Sequence, residues 1–206
     1  DLLENESVQS LNEGIEFIEI QTDSGLNLQA ELIIGADGSM SSIRSLSSIP
    51  IRTWSYEQTA IVSLLESELP INETAYQIFT GTGPIALLPV KVEGEDLISL
   101  IWSADKVYAD KLLTLESSEF LKELELKTED KLGKLKVREE ISSFPLHQLH
   151  AIKYFSKRTV LVGDSAHTIH PLAGQGLNLG IADVIDLSER ILLFRREGKD
   201  IADEKL

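Results

Sequence analysis

The sequence contains no cysteine. Disulfides, thiolate metal sites and a cysteine nucleophile are excluded together, and a reducing compartment is compatible with the composition. Basic residues are scarce: 19 Lys and Arg stand against 34 Asp and Glu, a formal net charge of −15. Such an acidic chain repels phosphate backbones, so nucleic acid is not an expected partner. Direct electrostatic docking to anionic lipid is disfavoured for the same reason. No apolar run approaches the ~18 residues that span a bilayer, and the richest stretch, Phe79–Val92, is interrupted by Gly and Pro. There is no initiator Met, basic n-region or signal-peptide core, and the chain opens on Asp1 and stops at Leu206 without a terminal pattern. It reads as a piece of a longer protein. The 206 residues suffice for one large domain or two small ones, and 42% hydrophobic residues is a globular proportion.

Residues 16–22 alternate polar and apolar side chains, which predicts a strand; Asp23-Ser24-Gly25 predicts a turn and Leu26–Ala30 a second strand. The run Leu32-Ile33-Ile34-Gly35 predicts a strand buried on both faces, as in a parallel sheet, and Ser41–Leu46 a helix with Ser at its N-cap. Between residues 51 and 150 the texture changes. Short strands at Thr59–Leu65, Ala75–Thr80, Ile85–Val90 and Asp96–Trp102, separated by Pro, Gly and acidic turns, predict an antiparallel sheet. Residues 116–132 place Phe120, Leu121, Leu124 and Leu132 at helical spacing with charges on the other face, which predicts a solvated amphipathic helix. Lys136–Ile141 predicts a strand and Phe144-Pro145-Leu146 a break; Arg158–Gly163 repeats the buried-strand pattern. Leu177 to about Arg196 traces a long helix, closed by Gly198.

Two clusters carry chemistry. One is Gly35-Ala36-Asp37-Gly38-Ser39-Met40-Ser41-Ser42-Ile43-Arg44; the other runs from Gly163-Asp164 through His167, His170 and Pro171 to Gly174-Gln175-Gly176-Leu177-Asn178. Each follows a short apolar strand and precedes a helix, and loops at the carboxyl ends of parallel strands are where α/β sheets bind ligands. Asp164 at a strand end can accept hydrogen bonds from sugar or ribityl hydroxyls. Gly174 and Gly176 let backbone approach a flat ring closely, just before a helix whose positive end stabilises negative charge. The same Gly-x-Gly is also compatible with an ordinary tight helix entry.

Asp37-Gly38-x-x-Ser41-x-x-Arg44 resembles the "DG" motif of class A FAD-dependent aromatic hydroxylases. Gly163-Asp164-x-Ala166-His167-x-x-x-Pro171, with Gly174-Gln175-Gly176-Leu177-Asn178, resembles their second flavin motif. The wording from His167 to Gly180, with Thr82–Pro89 and Phe144-Pro145-Leu146, is similar to the ubiquinone-biosynthesis hydroxylase branch. The resemblance implies the para-hydroxybenzoate hydroxylase fold: an α/β chain (α+β by content) forming the C-terminal part of a Rossmann-like FAD-binding domain, with an inserted, mainly antiparallel β-sheet substrate domain. Residues 1–50 and 151–206 would belong to the FAD-binding domain and residues 51–150 to the insertion. The implied activity is O2-dependent hydroxylation of an electron-rich ring, with FAD as cofactor and NAD(P)H as electron donor. The implied substrate is an aromatic polyprenyl compound. A multiprotein complex would be its partner, and the setting would be cytoplasmic and peripheral to the inner membrane. By motif, Asp164 would hold the ribityl chain, and Gly163 lies in the same turn. Pro171 and Gly174, Gln175, Gly176, Leu177 and Asn178 would line the isoalloxazine ring. Asp37, with Gly38, would approach the pyrophosphate or ribose, and Arg44 would anchor that loop. No residue is assigned to acid–base catalysis.

The sequence departs from the family in containing no Gly-x-Gly-x-x-Gly fingerprint, since Gly81-x-Gly83 is followed by Pro84. The 206 residues alone are therefore expected to hold FAD weakly and to be inactive, and bare sheet edges are expected to favour self-association. Asp164-x-x-His167-x-x-His170 has a metal-like composition, but Gly163 and Pro171 bracket it as a loop, so the histidines are expected to order that loop rather than bind metal. His147 and His150 could face the flavin cleft or pack ordinarily. Gly163–His167 is not a Gly-x-Ser-x-Gly elbow. Trp54 and Trp102 read as sheet packing, whereas Phe79 and Ile85–Leu88 read equally as pocket lining or core. Two alternatives stay open: a hydroxylase of a small soluble aromatic compound, and a non-catalytic scaffold subunit with the same fold.

Overall fold

The computed structural model describes residues 2–171 and 175–203. The chain divides into two compact units, one of Asp1–Trp54 with Gln148–Leu206 and one of Ser55–His147. Two long strands, β5 (Ile51–Ser67) and β10 (Ser142–Ala151), carry the chain out of the first unit and back.

The first unit opens with an antiparallel meander of β1 (Val8–Glu13), β2 (Ile18–Thr22) and β3 (Asn27–Ala30). The alternation seen from residue 16 buries Ile18 and Thr22, and Gly25 supplies the positive φ its turn requires. β1 escapes sequence reading because Val8 and Leu11 are its only apolar residues, and both are half-buried. A second sheet follows the order β11 (Phe155–Ser156), β12 (Thr159–Leu161), β4 (Ile33–Gly35), with β4 and β12 parallel. All of β12 is buried, as expected. β4 is not buried on both faces: Ile34 is 48% exposed. As an edge strand, β4 is covered on the other face alone, where a Cβ on Gly35 would meet Leu161 at 2.8 Å and Ile43 at 3.0 Å. Helix α1 (Ser42–Leu46) begins where expected, the Ser41 hydroxyl accepting the Arg44 N–H at 2.9 Å.

The second unit is an antiparallel sheet ordered β5, β8 (Glu95–Asp105), β7 (Gly83–Val92), β6 (Tyr76–Thr80), with β9 (Leu135–Val137) paired to β5. Helices α2 (Lys106–Leu113) and α3 (Ser117–Lys127) close one core with the sheet, built on Ile61, Leu65, Ile85, Leu87, Leu100, Trp102, Leu112, Phe120 and Leu124. Several expectations need correction. α2 was not read from the sequence. α3 stops at Lys127, and Leu132 is buried from the turn beyond it. The charged face of α3 is not all solvated: Glu125 is buried, accepting the Leu135 N–H at 2.9 Å and Lys134 Nζ at 3.0 Å. β9 runs from Leu135 to Val137 and so includes two of the six residues expected, Lys136 and Val137. Phe144-Pro145-Leu146 lies inside β10, in a stretch whose exposed start tolerates a residue with no N–H to donate. Trp54 is 49% exposed, unlike the fully buried Trp102. Gly83 has a structural reason: at φ +135° a Cβ there would fall 2.1 Å from the Ser103 carbonyl oxygen.

The chain returns through β11 and β12 to a 3-10 turn (Gly163–Ser165), the short strand β13 (His167–Thr168) and helix α4 (Gln175–Arg196). α4 ends in Gly198 at φ +65°, as the sequence indicates. Leu187 of α4 packs with Val160 and Val162 of β12 and the strand end. No helix among the described residues is long and apolar enough to cross a membrane.

Candidate functional site

The two motif clusters, 119 or more residues apart in sequence, meet in the first unit. Parallel pairing of β4 with β12 sets their ends side by side, and the Val162 N–H donates to the Gly35 carbonyl at 3.0 Å. Two side chains then lock the loops. Ser165 Oγ donates to the Gly35 carbonyl at 2.6 Å. The buried Arg44 guanidinium donates to the Ser165 carbonyl through Nη1 and to the Ser39 carbonyl through Nη2, each at 2.8 Å. Arg44 thus bridges the loops directly. A fork of donors held in one plane suits two carbonyls on different segments, which a lysine could not satisfy in the same way.

Asp37 is spent inside its own turn. Its Oδ1 accepts Ser41 Oγ at 2.5 Å, and its Oδ2 accepts Ser42 Oγ and the Ile43 N–H, each at 3.1 Å. Partial burial raises the carboxyl, but these hydrogen bonds outweigh it and hold the group below its ordinary value. Gly38, at φ +77°, makes the turn that brings Asp37 back over the start of α1. Asp164 is the opposite case. It stands exposed in the 3-10 turn beyond β12.

Gly163 lies at φ +60°, and a Cβ added to Gly180 of α4 would stand 3.2 Å from the Gly163 Cα, so the strand end and the helix touch through two glycines. Pro171 is half-buried; Gly174 falls outside the described residues. Gln175, Gly176, Leu177 and Asn178 form the first turn of α4 rather than a loop before it. Gln175, Leu177 and Asn178 are exposed, and nothing lies within 4 Å of a Cβ built on Gly176. The first turn of a helix has backbone N–H groups without intrahelical acceptors.

Sequence reading missed the group that fixes this loop. His167 Nε2 lies 2.7 Å from Asp183 Oδ2, and the Gly163 N–H donates to the same oxygen at 2.8 Å. His167 orders the loop as expected, while the Tyr154 ring packs beside it, tilted by 42° with centroids 5.6 Å apart, and its hydroxyl hydrogen-bonds His150 Nε2 at 3.1 Å. Burial lowers the His170 imidazole from its ordinary value. A signal was available: Gly180, Asp183, Leu187, Ile191 and Phe194 share one helical face, and a carboxylate on an otherwise apolar face calls for a partner. No cluster among the described residues is suited to hold a metal ion.

Residues 6–201 match the model of the FAD binding domain family. The chain belongs to that family. Among curated proteins, this FAD binding domain is similar to the ubiquinone biosynthesis monooxygenase COQ6 of Danio rerio (32% identity, 93% of this chain and 46% of that protein). It is also similar to the ubiquinone hydroxylase UbiL of Rhodospirillum rubrum (36% identity, 97% of this chain and 46% of that protein). The chain therefore spans about half the length of the curated relatives it matches. Among solved structures it resembles Pseudomonas aeruginosa PqsL in complex with 2-aminobenzoylacetate, with a TM-score of 0.81 at 21% identity over 96% of this chain and 56% of that one. That likeness carries the fold: a mixed α/β chain with a large, mostly antiparallel sheet.

The donor set fits the flavin that the family name implies. An exposed carboxylate can accept from ribityl hydroxyls, the first-turn N–H groups of α4 suit an electron-rich N–C=O edge, and Gly176 leaves room for a flat ring.

Proposed function

We propose that this chain is the part of an FAD-dependent, NAD(P)H- and O2-consuming monooxygenase that hydroxylates the aromatic ring of a polyprenylated phenol or quinol in ubiquinone biosynthesis. The observation that carries the reading is the Arg44 bridge, which sets the two motif loops side by side at the end of one parallel strand pair. The names of the relatives supply the substrate class. The bound flavin supplies the oxygen chemistry and the electron transfer.

The residues present bind and orient. Asp164 accepts the ribityl hydroxyls. Pro171 and the Gln175–Asn178 turn would line the ring, and the N–H groups of that turn would stabilise negative charge on it. Asp37 shapes its turn through three hydrogen bonds and would approach the pyrophosphate or ribose from there. Arg44 holds that turn against the Gly163–Ser165 turn. In the second unit, Ile85 and Leu87 belong to the core and so do not line a pocket, whereas Phe79 stays 75% exposed and available to an apolar ligand. Exposed Leu177, Ile181, Val184, Ile185 and Leu192 on α4 support self-association of the 206-residue chain, or its burial against a partner in a multiprotein complex.

The test is turnover by the complete gene product that carries this chain. With FAD, O2 and either NADH or NADPH, a polyprenylated phenol is expected to gain one oxygen atom by mass spectrometry. Hydroxylation of a small phenolic acid in its place would move the assignment to a soluble-substrate hydroxylase. Absence of both products, with flavin bound, would favour a scaffold subunit.

A further inference from the structure

We infer that Asp183 is the positioning residue of the flavin-facing loop, a role that rests on the flavin reading above. It lies on α4 two turns beyond Gly176 and is itself remote from the loop in sequence. A single carboxylate oxygen, Oδ2, receives two groups from the loop: the Gly163 N–H at 2.8 Å and His167 Nε2 at 2.7 Å. These two attachment points bracket Asp164, the exposed carboxylate, and begin the segment that runs on to Pro171. One atom on the helix therefore sets the distance between Asp164 and the first turn of the same helix, which are the two elements that would embrace the cofactor.

Packing shows why a carboxylate is needed there. Gly163 and Gly180 come within contact distance of one another, so the strand end crosses the helix with no side chain between them. Asp183 is one turn further along the same face, and Leu187 one turn beyond that is buried against Val160 and Val162. The glycine contact and the leucine fix the crossing, Ser165 and Arg44 tie the loop beyond Gly163 to the first motif cluster, and Asp183 ties it to α4.

His167 is built to be held from one side. Its side chain is 9% exposed, its Nδ1 is buried with no hydrogen-bond partner among the described residues, and the Tyr154 ring lies 5.6 Å away at a tilt of 42°. A carboxylate oxygen at this distance can only accept, so the contact places a proton on Nε2, pointing at Asp183. A carboxylate that accepts from an imidazole in this way fixes ring orientation and tautomer together.

The test uses the complete gene product in its flavin-bound form, with three variants. Asp183→Ala removes both contacts, Asp183→Asn keeps one acceptor oxygen, and Leu187→Ala disturbs the same helix crossing without touching the loop. The readouts are the Kd for FAD, the absorption spectrum of the bound flavin and hydrogen exchange at the Gly163 amide. Loss of two hydrogen bonds to a charged oxygen is expected to raise the Kd about tenfold or more. It is also expected to shift the flavin bands and to speed Gly163 exchange. Asp183→Asn is expected to fall between wild type and Asp183→Ala. Leu187→Ala is expected to lower thermal stability while leaving the bound-flavin spectrum unchanged. A wild-type protein that binds FAD, beside an Asp183→Ala protein with the same Kd and spectrum, overturns the positioning role and spares the flavin reading. A wild-type protein that binds no FAD overturns the flavin reading itself, and the Gly163 exchange then reports on the loop alone. Equal spectral shifts in Asp183→Ala and Leu187→Ala would show a general packing effect and also overturn the proposal.

Discussion

The two units bury their residues in different ways. The unit of Ser55–His147 closes one continuous core in which sheet, α2 and α3 share Trp102, Phe120, Leu100 and Leu124. The other unit has two smaller clusters, and its 22-residue helix α4 buries only Leu187 and Phe194. What it lacks in core it replaces with polar ties: Arg44 to Ser39 and Ser165, Asp183 to Gly163 and His167, and Arg158 to Asp200 and the Glu31 carbonyl. An apolar core fixes a fold without caring about a ligand. A set of directional ties fixes a loop in one geometry, as binding a rigid cofactor demands.

The sharpest way to break this contrast is to cut one buried apolar side chain from each unit. Trp102→Ala is expected to cost about 3–5 kcal/mol of unfolding free energy, because the ring is fully buried against Tyr108 and Phe120. Leu187→Ala should cost about 2 kcal/mol, the low end for such changes, because it sits in a small cluster beside half-exposed Ile191. Urea titrations monitored by circular dichroism compare the two, and equal costs would remove the distinction.

Next in size is Arg44→Ala. It strands two carbonyl oxygens, and a loss of about 2–3 kcal/mol is expected. Hydrogen exchange should accelerate in residues 36–47 and 163–168 and stay unchanged in α3. Acceleration throughout the chain would mean that the bridge is not local.

Acid should act on both units by separate groups. Hydrogen bonding from the Leu135 N–H keeps the Glu125 carboxyl low in one unit, while the Arg158 side chain lowers Asp200 in the other and the Ser41 turn lowers Asp37. A carboxyl lowered in the folded state contributes stability that is whole above its ordinary value, 3.8 for Asp and 4.5 for Glu. That contribution is lost as pH falls through the folded value. Thermal midpoints should therefore drop below about pH 4.5, near the ordinary carboxylate range. Glu125→Gln should flatten the part of that drop belonging to its own unit. An unchanged profile would show that the Glu125 carboxylate does not matter to stability.

The smallest expected effect is at Trp54. Trp54→Phe should change stability by no more than about 0.5 kcal/mol, and iodide should quench Trp54 fluorescence while sparing Trp102. Equal quenching would contradict the burial of the two rings.

The core unit was legible where alternation was strong. The four strands flanked by Gly, Pro and acidic turns appear in the sheet, although β5 and β8 run longer than their apolar stretches, since register with neighbours extends a strand beyond its own signal. α2 was invisible because Lys106–Leu113 is only eight residues long and its apolar residues are not confined to one face: Ala109 and Leu112 are buried while Val107 and Leu113 are exposed. In the other unit, Ser41 could be read as an N-cap and Gly198 as a helix stop because each acts within a few residues. The Asp183 contacts could not be read so directly, because they join a helix face to a loop and depend on how Gly163 and Gly180 cross. Asp37 shows the converse limit: its motif was plain in the sequence, but the three hydrogen bonds it accepts from Ser41, Ser42 and Ile43 depend on how the turn folds back over α1.

The central claim is that Asp164, on the turn that Arg44 bridges to the first motif loop and Asp183 ties to α4, faces FAD together with the first turn of that helix. Its most direct measurement is an FAD titration of the complete gene product beside its Asp164→Ala variant, each checked for an unchanged thermal midpoint. The account expects the Kd of the variant to rise about tenfold or more. Equal, tight FAD binding by both proteins would contradict it.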